Sequence, residues 1–141
     1  MKNKVFAGLG IVAVAAAALT GCSSASGSAA ASCTNEILKP DATQVSVWAW
    51  YPSFEQVVDL FNQNHDDVQI CWTNAGQGND EYTKFSTSIE SGSGAPDVIM
   101  LESEVLSSFS IRNALVDLSA YGAADVKDDY TEGAWKDVSS G

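Results

Sequence analysis

The sequence predicts an α/β protein built on an open parallel sheet, and three observations carry that expectation. Short apolar runs that read as strands alternate with stretches whose apolar residues recur at helical spacing. Each strand-like run is separated from the next by enough chain for a crossover helix, which makes the strands parallel. The first run is apolar on both faces, as a strand covered by helices on both sides must be.

Gln44–Trp50 is the first expected strand, with Val45, Val47 and Ala49 on one face and Ser46, Trp48 and Trp50 on the other. Pro52 stops it, and Ser53 with Gln56 reads as a capping box opening a helix. Phe54, Val57, Val58 and Phe61 give that helix an apolar stripe that fades near Asn64 and His65. Val68–Thr73 is the second strand, and Asn74–Asn79 a glycine-bearing loop. Asn79 or Asp80 caps a second helix whose apolar face is Tyr82, Phe85 and Ile89, ended by the Gly/Pro-rich SGSGAP. Asp97–Leu101 is the third strand, and Ser103 caps a third helix through Val105, Leu106 and Phe109. LVDLS and a last segment with Tyr130 and Trp135 follow. The chain then stops without a return of the sheet, so it is read as the N-terminal part of a longer protein.

The N-terminus sets the compartment. Lys2 and Lys4 precede the uncharged run Val5–Leu19, and Leu19-Thr20-Gly21-Cys22 comes next. A basic start, a short apolar run and small residues at the cut make a secretory signal over residues 1–21. The run is too short for a comfortable membrane span, which needs about 20 apolar residues. LTGC resembles the bacterial lipobox, which implies diacylglycerol on Cys22; a free Cys22 after an ordinary signal peptide is the alternative. Residues 22–40 are then the lipidated cysteine and a flexible tether, with Ser, Ala and Gly dominating Ser23–Ser32. Residues 41–141 are the folded part.

The whole chain carries a net charge of −11; loss of the signal removes Lys2 and Lys4 and leaves 5 basic against 18 acidic residues, or −13. That argues against nucleic acid or an anionic lipid surface as partner. With Cys22 lipidated, Cys33 and Cys71 form an even pair in a disulfide-permissive compartment. Their bond would close a loop of about 40 residues; two reduced thiols are the other state of the pair.

No G-x-S-x-G elbow, Walker A loop, H-E-x-x-H or Cys/His metal spacing occurs in the sequence. Gly76-Gln77-Gly78 is too short to count as a phosphate loop, and the lone His65 reads as a solvated helix-end residue. Nothing requires an enzyme, and no catalytic residue, metal or cofactor is assigned. What remains is an aromatic platform. In open α/β sheets ligands bind outside the carboxyl ends of the strands, at the switch in strand order. If the first strand is central with the second and third on either side, that crevice lies between Trp50/Tyr51 and Leu101/Glu102, and the third strand's exit, Glu102-Ser103, faces the aromatic exit of the first. Sugars suit it, because their C–H faces stack on rings while their hydroxyls meet carboxylates and amides. Trp48 reads as core; Trp50 and Tyr51 read as ligand wall, with a core position as the alternative.

VSVWAWYPSFEQVVDLFNQNHDDVQI, GSGAPDVIMLE and NALVDLS, with the lipobox and tether, together resemble the bacterial extracellular solute-binding proteins of family 1. These are substrate-binding lipoproteins of ABC sugar importers. The resemblance implies a lobe of the periplasmic-binding-protein type II fold, with the second lobe and hinge absent from this segment. It implies capture of a carbohydrate outside the membrane and its delivery to permease subunits, by domain closure without turnover. Trp50, Tyr51, Glu102 and Ser103 are the carried-over ligand contacts, with Gln77 and Asn79 behind them; Asp97 organises the turn before its strand. One lobe cannot enclose a ligand, so these residues alone are expected to bind sugar weakly or not at all. The rival readings are a lipid-anchored lyase or hydrolase with catalytic residues beyond Gly141, and a sensory or adhesion lipoprotein on the same fold.

Overall fold

The structure, a computed structural model, describes residues 33–139. The expected signal segment 1–21, the expected lipidation site Cys22 and the expected tether up to Ser32 lie outside the described residues. Three parallel strands, β1 (Thr43–Trp48), β2 (Val68–Thr73) and β3 (Val98–Ile99), form a sheet of order β2-β1-β3. They alternate with α1 (Phe54–Asn64), α2 (Asn79–Ser91) and α3 (Ser103–Ser110). The first strand is central, the condition on which the crevice between the first and third strand exits rests. Short 3-10 helices at Leu118–Tyr121 and Ala123–Asp129 lead to α4 (Glu132–Asp137). Among the described residues no helix is long and apolar enough to cross a membrane.

The two faces of β1 feed two separate cores. On one side Ala49, Val58 and Trp72 pack with Phe54, Ile70 and Met100, so α1 covers that face. On the other, Tyr82, Phe85 and Phe109 pack with Trp48, Trp50, Ile99, Leu101 and Val105, so α2 and α3 cover it. This is the three-layer arrangement that a two-sided apolar strand demands. Trp48 lies in the core, as expected.

The helix caps depart from the sequence reading. Neither Ser53 nor the residues opening α2 and α3 make a side-chain cap bond. Tyr51 carbonyl accepts from Phe54 N–H (2.9 Å) to start α1, and Gly78 rather than Asn79 or Asp80 precedes α2. Ser103 is the first residue of α3, after Glu102 in the cap position. Val57 is also displaced from its expected role. It is 58% exposed, while Asn62 is buried in its place on the inner face. Asn62 earns burial by its bonds: Nδ2 donates to Ile70 carbonyl (3.0 Å) and Oδ1 accepts from Ile70 N–H (2.7 Å). β3 is shorter than the expected Asp97–Leu101, although Met100 N–H still reaches Trp48 carbonyl (2.8 Å).

β2 is an edge strand, and its outward backbone groups would be a template for unwanted pairing. Asn62 covers Ile70, and Asn35 covers the next step by accepting from Trp72 N–H (2.8 Å) and donating to Ile70 carbonyl (2.9 Å). Thr34 N–H donates to Trp72 carbonyl (2.7 Å), and a disulfide joins Cys33 to Cys71. Gln69, fully buried, accepts from Leu38 and Lys39 N–H and donates to the Asn62 and His65 carbonyls at the end of α1. Residues 33–39 are therefore packed against β2. The folded lobe reaches back to Cys33, and the tether cannot extend to residue 40, because these bonds fix its last part.

Candidate functional site

The carboxyl ends of the three parallel strands lie at one end of the sheet, and the chain leaving each is held there by specific contacts. After β1, the Ala49 carbonyl accepts from the Trp72 indole N–H (2.7 Å), both residues being buried. That bond fixes the point where the backbone turns out to Trp50. The Trp50 ring, half-buried, then meets Tyr82 edge-on with centroids 5.6 Å apart and planes at 71°. Tyr51 follows and stands 58% exposed.

After β2, the chain needs glycine twice. Gly76 has φ +131°, and a Cβ there would sit 2.9 Å from the Asp80 Cβ. Gly78 has φ 54° and ψ −121°, a region open essentially to glycine alone. Asn74 Oδ1 accepts from Gly76 N–H (3.1 Å), and Lys84 Nζ donates to Ala75 carbonyl. This loop turns α2 so that Tyr82 points into the second core. Gln77 and Asn79 are exposed on it.

After β3, Glu102 and Ser103 open α3, both exposed. Glu102 is the one tied down. The Tyr82 hydroxyl donates to Glu102 Oε2 (2.9 Å) and accepts from Glu102 N–H (3.1 Å). Burial first of all pushes the Tyr82 phenol above its usual value, with the Glu102 and Glu104 carboxylates adding to the rise. The phenol therefore stays protonated and can donate at any physiological pH.

The structure thus brings Trp50 and Glu102 together through a residue that the sequence reading placed only on an apolar helix face. Tyr82 touches the chain leaving β1 with its ring and the chain leaving β3 with its hydroxyl. The missed signal was chemical: Phe would satisfy the apolar stripe, and a tyrosine on it carries a hydroxyl that needs a partner when buried. Tyr51, Gln77, Asn79 and Ser103 share the same end of the sheet, but no side-chain hydrogen bond or ring contact links them to Trp50, Tyr82 or Glu102. Asp97 stands apart from the site, between β3 and β1, where it bonds Ser46. His65 is exposed, stacked on Phe61 and bonded to its carbonyl at the end of α1. Among the described residues no group of His, Cys, Asp and Glu could hold a metal ion.

The end of the sheet thus sets an aromatic ring, Trp50, and a carboxylate, Glu102, on either side of Tyr82. Its ring offers a flat apolar surface, and its carboxylate accepts hydrogen bonds from hydroxyl or amide donors. Among solved structures, the chain is similar to the ABC transporter associated binding protein from B. animalis subsp. lactis Bl-04, determined in complex with beta-1,6-galactobiose. The two share 31% identity with a TM-score of 0.66, over 71% of this chain and 24% of that one. The chain therefore spans about a quarter of that neighbour's length. Curated proteins offer no match. The sequence profile described as bacterial extracellular solute-binding protein matches residues 49–139, from the β1 exit through α4. On that match, across most of the folded lobe and all three strand exits, the chain belongs to the bacterial extracellular solute-binding protein family.

Proposed function

We propose that this protein captures a carbohydrate outside the membrane and hands it to the permease subunits of an ABC transporter, anchored by a lipid on Cys22. The observation that carries the reading is the meeting of Trp50, Tyr82 and Glu102 at the carboxyl end of the sheet. One sugar face would stack on Trp50, with Tyr51 beside it, while hydroxyls bond to Glu102. Ser103, Gln77 and Asn79 would supply further polar contacts from the same end. The solute-binding family and a neighbour solved with a galactose disaccharide support a neutral saccharide over an amino acid, a polyamine or a metal. Binding needs no bond-making group, and closure of a second lobe over the ligand would complete the enclosure.

The test is a thermal-shift panel on the full-length protein with mono- and disaccharides, amino acids, short peptides and divalent metals. Stabilisation by a saccharide alone supports the reading. Stabilisation by peptides or metals, with none by sugars, would refute it. Metabolic labelling with a fatty acid, lost in Cys22→Ser, tests the anchor separately.

A further inference from the structure

We propose that Tyr82 is a positioning residue, whose phenol fixes the Glu102 carboxylate so that its second oxygen stands open as an acceptor for a sugar hydroxyl. The inference rests on the carbohydrate reading above and assigns the group that makes Glu102 useful to it.

Glu102 is exposed, and an exposed glutamate ordinarily samples many rotamers, so ordering it costs conformational entropy. Here that ordering is done before any ligand arrives. The Tyr82 oxygen is bound twice to the same residue, giving to Oε2 and taking from the backbone N–H. Backbone and side chain of Glu102 are thus referred to one atom. That atom is itself immobile, because Tyr82 is only 7% exposed and its ring packs edge-on against both Trp50 (5.6 Å) and Phe109 (6.2 Å). Among the described residues, Glu102 Oε1 has no hydrogen-bond partner. A carboxylate with one oxygen held and the other open is a preorganised acceptor, and preorganisation shows as affinity.

The donation to Oε2 is what separates this role from simple anchoring. To start α3, the bond from Glu102 N–H to the phenol would suffice. The hydroxyl proton goes to the carboxylate, which gives the buried phenol its acceptor and at the same time holds Oε2 in place. The same side chain packs its ring against Trp50 with centroids 5.6 Å apart, so Trp50 and the acceptor are both held by one residue.

The test compares wild type, Tyr82→Phe, Glu102→Gln and the double variant of the full-length protein, using beta-1,6-galactobiose as the probe in titration calorimetry. Tyr82→Phe keeps both ring contacts, so it should remain folded with a melting point a few degrees lower. It should weaken binding about tenfold, the loss of roughly one charge-assisted hydrogen bond. Because Tyr82 acts through Glu102, the double variant should bind no more weakly than Glu102→Gln alone. A ligand-free reading stands beside this: side-chain scalar couplings of Glu102 should report one rotamer in wild type and an average in Tyr82→Phe. Unchanged binding in Tyr82→Phe, additive losses in the double variant, or a Glu102 rotamer as fixed without the phenol as with it would overturn the role. No binding of any sugar by the wild type, with Glu102 still fixed by Tyr82, would instead overturn the carbohydrate reading, and the sugar role with it.

Discussion

Asp97 and Ser46 are locked together by a closed set of hydrogen bonds. Asp97 Oδ2 accepts from Ser46 N–H (2.8 Å) and from Ser46 Oγ–H (2.6 Å), while Asp97 N–H donates to Ser46 Oγ (2.9 Å). The pair lies just before the register Val47↔Val98 and Trp48↔Ile99. It lengthens a β1–β3 ladder that is otherwise very short, and it holds in place the strand that leads to Glu102.

These Ser46 bonds hold the Asp97 carboxyl below its usual value. A lowered folded value means the contribution is present above the unfolded value, near 3.8, and is lost as pH falls through the folded one. Asp97→Ala should therefore lower stability at pH 7 by about 1 kcal/mol, an exposed lock being screened by water. Urea melts at neutral and strongly acidic pH check this, and the gap between variant and wild type should close only in acid.

Glu81 gives the opposite sign. It is fully buried, and among the described residues neither carboxylate oxygen has a hydrogen-bond partner. Burial pushes its pKa up to about 7, against the pull of the Lys84 charge, the one charged group that bears on it. The folded lobe thus keeps a proton that the unfolded chain has lost above about pH 4.5. Stability should fall as pH rises from there through 7 and level off beyond. Glu81→Leu, which removes the titrating group, should flatten that slope and raise the melting temperature at pH 8. An unchanged slope in thermal melts across that range would show that another group carries it.

The disulfide should matter more than either. Cys33 and Cys71 are 38 residues apart, and closing such a loop is worth roughly 4 kcal/mol in the chain-entropy model. Cys33→Ser with Cys71→Ser should lower stability by about 3–4 kcal/mol. It should also raise amide exchange at Trp72, whose N–H donates to Asn35 of the 33–36 segment. Denaturant melts and hydrogen exchange measure the two effects independently.

Trp50 divides structure from binding. Its ring is half-buried and makes an edge contact worth about 1 kcal/mol, so Trp50→Ala should cost about 1–3 kcal/mol and leave the lobe folded. Sugar binding should vanish in this variant and survive in Trp50→Phe, which keeps a stacking face. Circular dichroism melts beside calorimetry separate the two. Collapse of the fold in Trp50→Ala would return Trp50 to the core.

The alternation of strands and helices, the two-sided burial of β1 and the inner face of α2 were legible because each rests on periodicity. Val47, Ala49, Tyr82 and Phe85 repeat at the spacing of their elements, and the alternation of strands and helices leaves few topologies. The caps were not legible. Ser53 and Asn79 have the right chemistry, yet a turn bond from Tyr51 carbonyl and a positive-φ Gly78 open the helices instead. Asn62, Gln69 and Asn35 are polar, and they are buried because each finds backbone partners on or across from β2. Such matches join residues up to 37 apart and leave no local pattern. Tyr82 was missed for the same reason, since its partner, Glu102, is 20 residues away.

The central claim is that a saccharide binds at the end of the sheet between Trp50 and Glu102. Titration calorimetry of the full-length protein with beta-1,6-galactobiose and related neutral disaccharides, repeated with Trp50→Ala and Glu102→Gln, tests it most directly. Micromolar or tighter binding of at least one disaccharide by the wild type, lost in Trp50→Ala and weakened at least tenfold in Glu102→Gln, is the predicted result. Sugar binding that neither substitution disturbs, in variants that remain folded, would contradict it.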